Sequence, residues 1–285
     1  LWFGTAAQLW RFDETAQAFK PVPVRWPESL QRPLIGGLHR DSAGTLWLYG
    51  NFGMARQTGV GPSDWVFHPL PGSATQGLPE DFYIDRLHVG SDGHWWIVSE
   101  RGLLVFDPQR LQWQHVHSRN SELATDWVQG VRESPAGRYW LGLRNGGLQS
   151  FEGRADQLGE AARWRSFGTQ EGLTDLMVYD ALPDADGYLW LAGGQGVTRF
   201  APATGHSQLF FQAEGLRQHD FNRSQTLEGP GGLLLMGGVN GLTIIDPAAL
   251  RNPAPPPRPM LTGVASNRGA LTVQDMDAKY MYRAA

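Results

Sequence analysis

Eight histidines are the residues of this chain best suited to proton transfer or metal binding: His39, His68, His88, His94, His115, His117, His206 and His219. His115 and His117 form a His-x-His pair, and on a strand that spacing puts both rings on one face, as a metal site requires. No third ligand stands near them in the sequence, so the pair reads as a solvated strand face and no metal is expected. Asp184-Ala185-Asp186-Gly187 begins like a calcium loop but lacks the later ligands and the distal glutamate, which leaves a turn. There is no cysteine, which removes disulfides, zinc thiolates and cysteine nucleophiles together. Neither Gly-x-Ser-x-Gly, His-Glu-x-x-His nor a phosphate loop occurs. The residues therefore imply no catalytic centre and no cofactor, and the fragment is expected not to be an enzyme.

The charge balance narrows the partners. Lys and Arg number 24 against 28 Asp and Glu, a net charge of −4. No basic excess is present to neutralise a nucleic-acid backbone. No apolar run is long enough to span a bilayer. The 285 residues suffice for a large core, and 36 glycines with 12 tryptophans point to many short strands joined by tight turns.

Those elements repeat. A tryptophan follows a glycine turn in Asp41-Ser42-Ala43-Gly44-Thr45-Leu46-Trp47, Gly93-His94-Trp95-Trp96, Gly137-Arg138-Tyr139-Trp140 and Asp184-Ala185-Asp186-Gly187-Tyr188-Leu189-Trp190. Leu1-Trp2 is a truncated earlier copy, and Gly231-Gly232-Leu233-Leu234 a later one with Leu234 in the tryptophan position. A leucine recurs ahead of each anchor at Leu30, Leu78, Leu123, Leu173 and Leu216. A glycine, an aliphatic and a large apolar residue follow each anchor, as in Gly102-Leu103…Phe106, Gly147-Leu148…Phe151, Gly196-Val197…Phe200 and Gly241-Leu242…Ile245. Each unit holds four strand-like runs; in one they are Tyr83–Val89, His94–Ser99, Gly102–Phe106 and Trp113–Val116. Turns at Glu100-Arg101 and Asn145-Gly146 close the central hairpins. Four strands in a period of about 44 to 50 residues predict an all-β fold, a β-propeller of four-stranded blades with about six repeats here. The anchor tryptophans are expected to pack between blades.

A propeller gathers its ligand contacts on the face where loops enter the innermost strands. Those loops carry Asp81, Phe82 and Tyr83; Asp126 and Trp127; Asp175, Met177 and Tyr179; and His219, Asp220, Phe221, Asn222 and Arg223. An aromatic and an acid recur there in the same slot across units. Aromatic faces beside carboxylates and amides suit a sugar or another small polar molecule. The expected ligand-binding residues are Tyr83, Trp127, Tyr179 and Arg223, with Asp81, Asp126 and His219 beside them. The bland alternative is that the aromatics plug the channel.

Written out, the repeat resembles the two-component regulator propeller repeat. Leu182-Pro183-Asp184-Ala185-Asp186-Gly187-Tyr188-Leu189-Trp190-Leu191 followed by Gly196-Val197-Thr198-Arg199-Phe200 carries the resemblance most fully, and Leu1-Trp2-Phe3-Gly4-Thr5 is a good fragment. Gly90 and Ser134 depart from it by replacing the expected aspartate. Asp220-Phe221-Asn222 followed by Met236-Gly237-Gly238-Val239-Asn240-Gly241-Leu242…Asp246-Pro247 resembles the last blade of these sensors. Residues 1–247 would then be the propeller, 248–259 a proline-rich linker, and 260–285 the start of an immunoglobulin-like module. The chain reads as a piece of a longer protein, its first unit lacking the innermost strand and its ring belonging to seven blades.

The resemblance implies a periplasmic, extracytoplasmic sensor attached to an inner-membrane protein. Its output would be a histidine kinase or diguanylate cyclase outside this chain, its ligand a small molecule or oligosaccharide, and homodimerisation would accompany signalling. Two alternatives stay open. One is a propeller lyase of the streptogramin-lyase type, for which His219 is the one histidine placed as a base. The other is a protein–protein interaction scaffold.

Overall fold

The computed structural model describes residues 1–61, 63–72, 84, 86–134 and 137–250, together with 264–266 and 269–271. The chain divides into two compact units, Leu1–Pro247 and Ala248–Ala285. In the second, β23 (Val264–Ser266) pairs antiparallel with β24 (Gly269–Leu271).

The first unit is a β-propeller of antiparallel sheets in sequence order. Sheet 1 has three strands, β1 (Trp2–Thr5), β2 (Gln8–Asp13) and β3 (Ala18–Val22). Sheet 2 has four, β4 (Ile35–Arg40), β5 (Leu46–Gly50), β6 (Gly53–Gln57) and β7 (Trp65–His68). Sheet 3 contains β8 (Leu87–Val89), β9 (Trp95–Ser99), β10 (Gly102–Asp107) and β11 (Gln112–Val116). Sheet 4 contains β12 (Val128–Glu133), β13 (Arg138–Leu143), β14 (Gly147–Glu152) and β15 (Trp164–Phe167). Sheet 5 contains β16 (Asp180–Pro183), β17 (Leu189–Gly193), β18 (Gly196–Ala201) and β19 (His206–Phe210). Sheet 6 has β20 (Phe221–Glu228), β21 (Leu234–Gly238) and β22 (Gly241–Ile245). Each sheet is a meander of strands consecutive in the chain, the second and third joined by a tight turn. Asn145 adopts the positive φ (59°) that the β13–β14 turn demands.

The repeat has a physical origin at the turn between the first and second strands. Asp184 Oδ1 accepts the backbone N–H of Asp186 (2.9 Å) and Tyr188 (3.0 Å), and its Oδ2 accepts the indole N–H of Trp190 (2.8 Å). Asp41 does the same for Ala43, Thr45 and the Trp47 indole. Gly44 and Gly187 take φ of 83° and 82°, which a side chain disfavours. One carboxylate thus closes a turn and fixes the tryptophan that packs between sheets.

Trp47, Trp96, Trp140 and Trp190 are buried. Trp47 lies in the cluster between sheets 2 and 3, Trp96 in that between 3 and 4, and Trp140 in that between 4 and 5. Burying side chains of this size contributes about 25 cal/mol per Å² of apolar surface.

One anchor moves. Gly229 N–H bonds to Leu233 O, as Asp184 N–H does to Tyr188 O and Ser134 N–H to Arg138 O. That register puts Leu235, not Leu234, in the tryptophan position of sheet 6. The consecutive leucines Leu233, Leu234 and Leu235 hid the one-residue slip.

Candidate functional site

The loops entering the inner strands and the turns between second and third strands lie at the same end of every sheet, because the strands alternate in direction. At this loop face, Trp127 and Arg144 meet from two such connections of sheet 4. The Arg144 guanidinium carbon sits 3.8 Å from the Trp127 ring centroid, and Arg144 N–H bonds to Trp127 O at 3.0 Å. The Trp127 indole N–H is buried without an acceptor.

Tyr179 stands just before β16. Burial pushes its phenol pKa up, the neighbouring Asp220 and Asp175 add to the rise, and Arg223 and Arg144 oppose it. Those four charged groups therefore act on one ring. Asp175 Oδ1 accepts the Met177 N–H at 3.0 Å, and a small pocket of about 30 Å³ opens beside Asp175 and Met177. Arg223, on β20, lies 3.7 Å from Glu100 in the β9–β10 turn. The loop face thus combines a half-covered indole, a phenol and alternating charges. Such an arrangement can hold a polar ligand by stacking and hydrogen bonds.

Trp127, Tyr179 and Arg223 from the sequence reading share this face. Asp126 is nearby but occupied. Burial would raise its pKa, yet the Ser118 hydrogen bonds (N–H to Oδ1, 2.7 Å) and the neighbouring His117 and Arg119 lower it overall. His219 is exposed, and its carbonyl accepts the Gly196 N–H at 2.6 Å. Asp81 and Tyr83 lie outside the described residues.

The single-slot pattern needs correction. Gly102 N–H bonds to Asp126 O, Gly147 N–H to Leu176 O, and Gly196 N–H to His219 O. Asp126, Leu176 and His219 are therefore equivalent, so Trp127 matches Met177 while Tyr179 matches Gln129. The two aromatics come from different slots, with Arg144 acting on both.

Arg144 was missed because attention fell on loops entering inner strands. Its signal was its position, directly before the Asn145-Gly146 turn at the same end of the sheet. His115 and His117 lie with ring centroids 5.0 Å apart. His115 Nε2 is 2.6 Å from Arg101 O, and His117 Nδ1 accepts the Arg119 N–H at 3.2 Å.

The channel contains a second feature that sequence reading did not find. Asp180 on β16 is fully buried and accepts from Arg132 Nη2 (2.8 Å) and Nε (3.1 Å), from Arg86 and from the Thr226 hydroxyl. Arg86 Nη2 and Arg132 Nη2 also donate to Thr226 O, at 3.0 and 2.9 Å. Burial alone would raise the Asp180 pKa; Arg132 and Arg86 more than offset that and hold it low. Side chains from four successive sheets meet here.

The chain matches no protein-family profile and no curated protein. Solved structures do match. The extracellular domain of the hybrid two-component system BT4673 from B. thetaiotaomicron superposes with a TM-score of 0.58 at 22% identity, over 75% of this chain and 29% of that one. That of the hybrid system BT3049 from the same organism gives 0.51 at 18% identity, over 95% of this chain and 44% of that one. PorZ, a surface component of the type-IX secretion system of Porphyromonas gingivalis, gives 0.57 at 14% identity, over 85% and 37%. The chain spans less than half the length of each. Its fold is the β-propeller of the extracellular domains of hybrid two-component systems, the proteins that its repeat resembles.

Proposed function

We propose that this propeller is the ligand-sensing part of an extracytoplasmic region. It binds a small molecule or oligosaccharide at the loop face and passes the signal to a kinase or cyclase output elsewhere in a membrane-bound protein. Among the described residues no helix is long and apolar enough to cross a membrane. The observation that carries the reading is the half-buried Trp127 ring with the Arg144 guanidinium stacked on it at 3.8 Å, at the face where Arg144 also acts on Tyr179 together with Asp175, Asp220 and Arg223. The likeness to sensor domains supports the same reading at the level of fold.

The test is a thermal-shift screen of the chain against oligosaccharides and small metabolites. A ligand at 100 times its Kd adds about 2.7 kcal/mol to stability. The shift is expected to vanish in Trp127→Ala and Tyr179→Ala while the unliganded melting temperature changes little. A ligand shift that persists in both variants refutes the site.

A second reading, an interaction module, has one observation in its favour. Leu227, Leu242 and Ile244 share one face of sheet 6 and are exposed. A silent ligand screen with concentration-dependent mass would favour it.

A further inference from the structure

Two of the copies of the repeat that lack the turn aspartate, those that keep the tryptophan, resolve its loss differently. In sheet 3 the position is Gly90. The next sheet fills the space: Tyr139 stacks on Trp96 at 4.0 Å between ring centroids, and a Cβ at Gly90 would collide with the Tyr139 hydroxyl. In sheet 4 the position is Ser134, and the residue of the next sheet equivalent to Tyr139 is Leu189, which is shorter. A groove of about 520 Å³ remains there, lined by Ser134, Trp140, Pro183, Tyr188, Leu189 and Pro202 among others. It lies between sheets 4 and 5 on the face opposite the loop face, at the β12–β13, β16–β17 and β18–β19 turns. That volume is in the range of small-molecule sites, roughly 300–1,000 Å³.

Two arginines and one aspartate are the charged residues of its lining. Arg138 and Arg165 line it. Arg138 is paired with Glu152. Arg165 has no acidic partner among the described residues, and its guanidinium lies 4.7 Å over the Phe167 ring. Arg199 backs the Tyr188 ring at 3.7 Å, and its Nε is buried without an acceptor. Asp184 is the acid in the lining, and both its oxygens are already engaged by Trp190 and the turn. An anion entering the groove meets Arg165, which has no ion pair among the described residues, and a guanidinium binds a carboxylate through two parallel hydrogen bonds. The remaining wall is ring, proline and aliphatic surface, which suits a flat apolar body.

We propose that this groove is a second binding site, for a small aromatic carboxylate. Ser134 leaves the space over Trp140, and Arg165 holds the carboxylate.

Calorimetric titration of the chain with 2-naphthoate tests this, with 2-naphthol (ring without charge), acetate (charge without ring) and inorganic phosphate as comparators. 2-Naphthoate is expected to bind at least tenfold more tightly than any comparator. Arg165→Glu is expected to weaken it at least tenfold. Ser134→Asp restores the turn carboxylate and puts a negative charge into the groove beside Trp140, so it is expected to abolish binding while holding or raising the melting temperature. Trp127→Ala, at the other face, is expected to leave this binding unchanged, so failure here is separable from failure of the loop-face site. Absence of 2-naphthoate binding overturns the proposal, as does binding indifferent to both Arg165→Glu and Ser134→Asp. Phosphate binding as tight as 2-naphthoate would overturn the aromatic class.

Discussion

In sheet 4 the leucine after the opening glycine of the third strand, Leu148, is fully buried; in sheet 6 its counterpart, Leu242, keeps 59% of its surface exposed. The same position is fully buried in Leu9, Met54, Leu103 and Val197. Sheet 4 has a neighbour on each side and belongs to apolar clusters on both. Sheet 6 buries Leu234 and Met236 on one face and exposes Leu227, Leu242 and Ile244 on the other. What sheet 6 has instead is a polar tie, through Thr226, to Asp180, Arg86 and Arg132. The repeat therefore prescribes a residue type, and the neighbouring sheet decides whether that residue stabilises anything. An apolar side chain contributes only when something covers it.

The largest effect is expected where the polar tie is cut. Asp180→Ala leaves Arg86 and Arg132 without their buried carboxylate, and breaking a buried pair in this way costs about 3–5 kcal/mol. Amide exchange should then show β20 losing protection before β13. Equal loss in both strands would break the contrast between the sheets. The tie also carries a pH dependence. The folded pKa of Asp180 is held below its ordinary value, so its contribution is full above the ordinary carboxylate range and is lost as pH falls through the lowered folded value. Glu228 works in the opposite sense. Burial raises its pKa and Asp180 adds to the rise, against the pull of Arg132, so its contribution improves as pH falls. Acid denaturation of the wild type should therefore show a drop in stability that Asp180→Ala lacks.

The second contrast is apolar. Leu148→Ala removes a side chain from the cluster between sheets 4 and 5 and should cost about 2–5 kcal/mol. Leu242→Ala, the same substitution at the same place in the repeat, should change stability by less than about 0.5 kcal/mol. Paired urea unfolding curves decide this. A cost for Leu242→Ala near that for Leu148→Ala would mean that the face of sheet 6 is covered in solution.

How much of this was legible in the sequence follows from what kind of interaction each residue makes. The sheets were legible because Trp47, Trp96, Trp140 and Trp190, with the glycines before them, repeat within the chain, and repetition reveals local geometry. The Asp180 cluster was not. Arg86, Arg132, Asp180 and Thr226 come from four sheets; Arg86 and Asp180 share a position of the repeat but carry opposite charges, and Arg132 and Thr226 hold two other positions, so no recurring residue type marks them. Trp127 and Tyr179 were legible as aromatics at inner-strand entries, but their origin in different slots was not. Arg144 sits in a hairpin turn, where its residue type says little until the strand directions place that turn at the loop face. The groove was half visible, since Ser134 stood out as a departure. Its consequence depended on whether the next sheet supplied a Tyr139 or a Leu189.

The smallest contrast concerns the turn itself. Sheet 5 has Asp184 with Trp190, and sheet 6 has Gly229 with Leu235. Carboxylate and indole are lost together, as expected if the aspartate serves chiefly to accept the indole N–H and the turn amides. Sheet 3 shows the cost of losing one alone: Gly90 is followed by Trp96, whose indole N–H is buried without a partner. Asp184→Ala should recreate that state in sheet 5 and cost about 1–3 kcal/mol, since it leaves buried donors without an acceptor. Trp190→Leu should cost more by itself, because it opens a cavity beside Phe210. In the double variant the orphaned indole is gone, so the two costs should sum to more than the measured loss. A coupling of about 0.5–3 kcal/mol in the double-mutant cycle is the expected result. Strict additivity would mean that the aspartate holds the turn through its backbone amides alone, and the joint absence in sheet 6 would then need another cause.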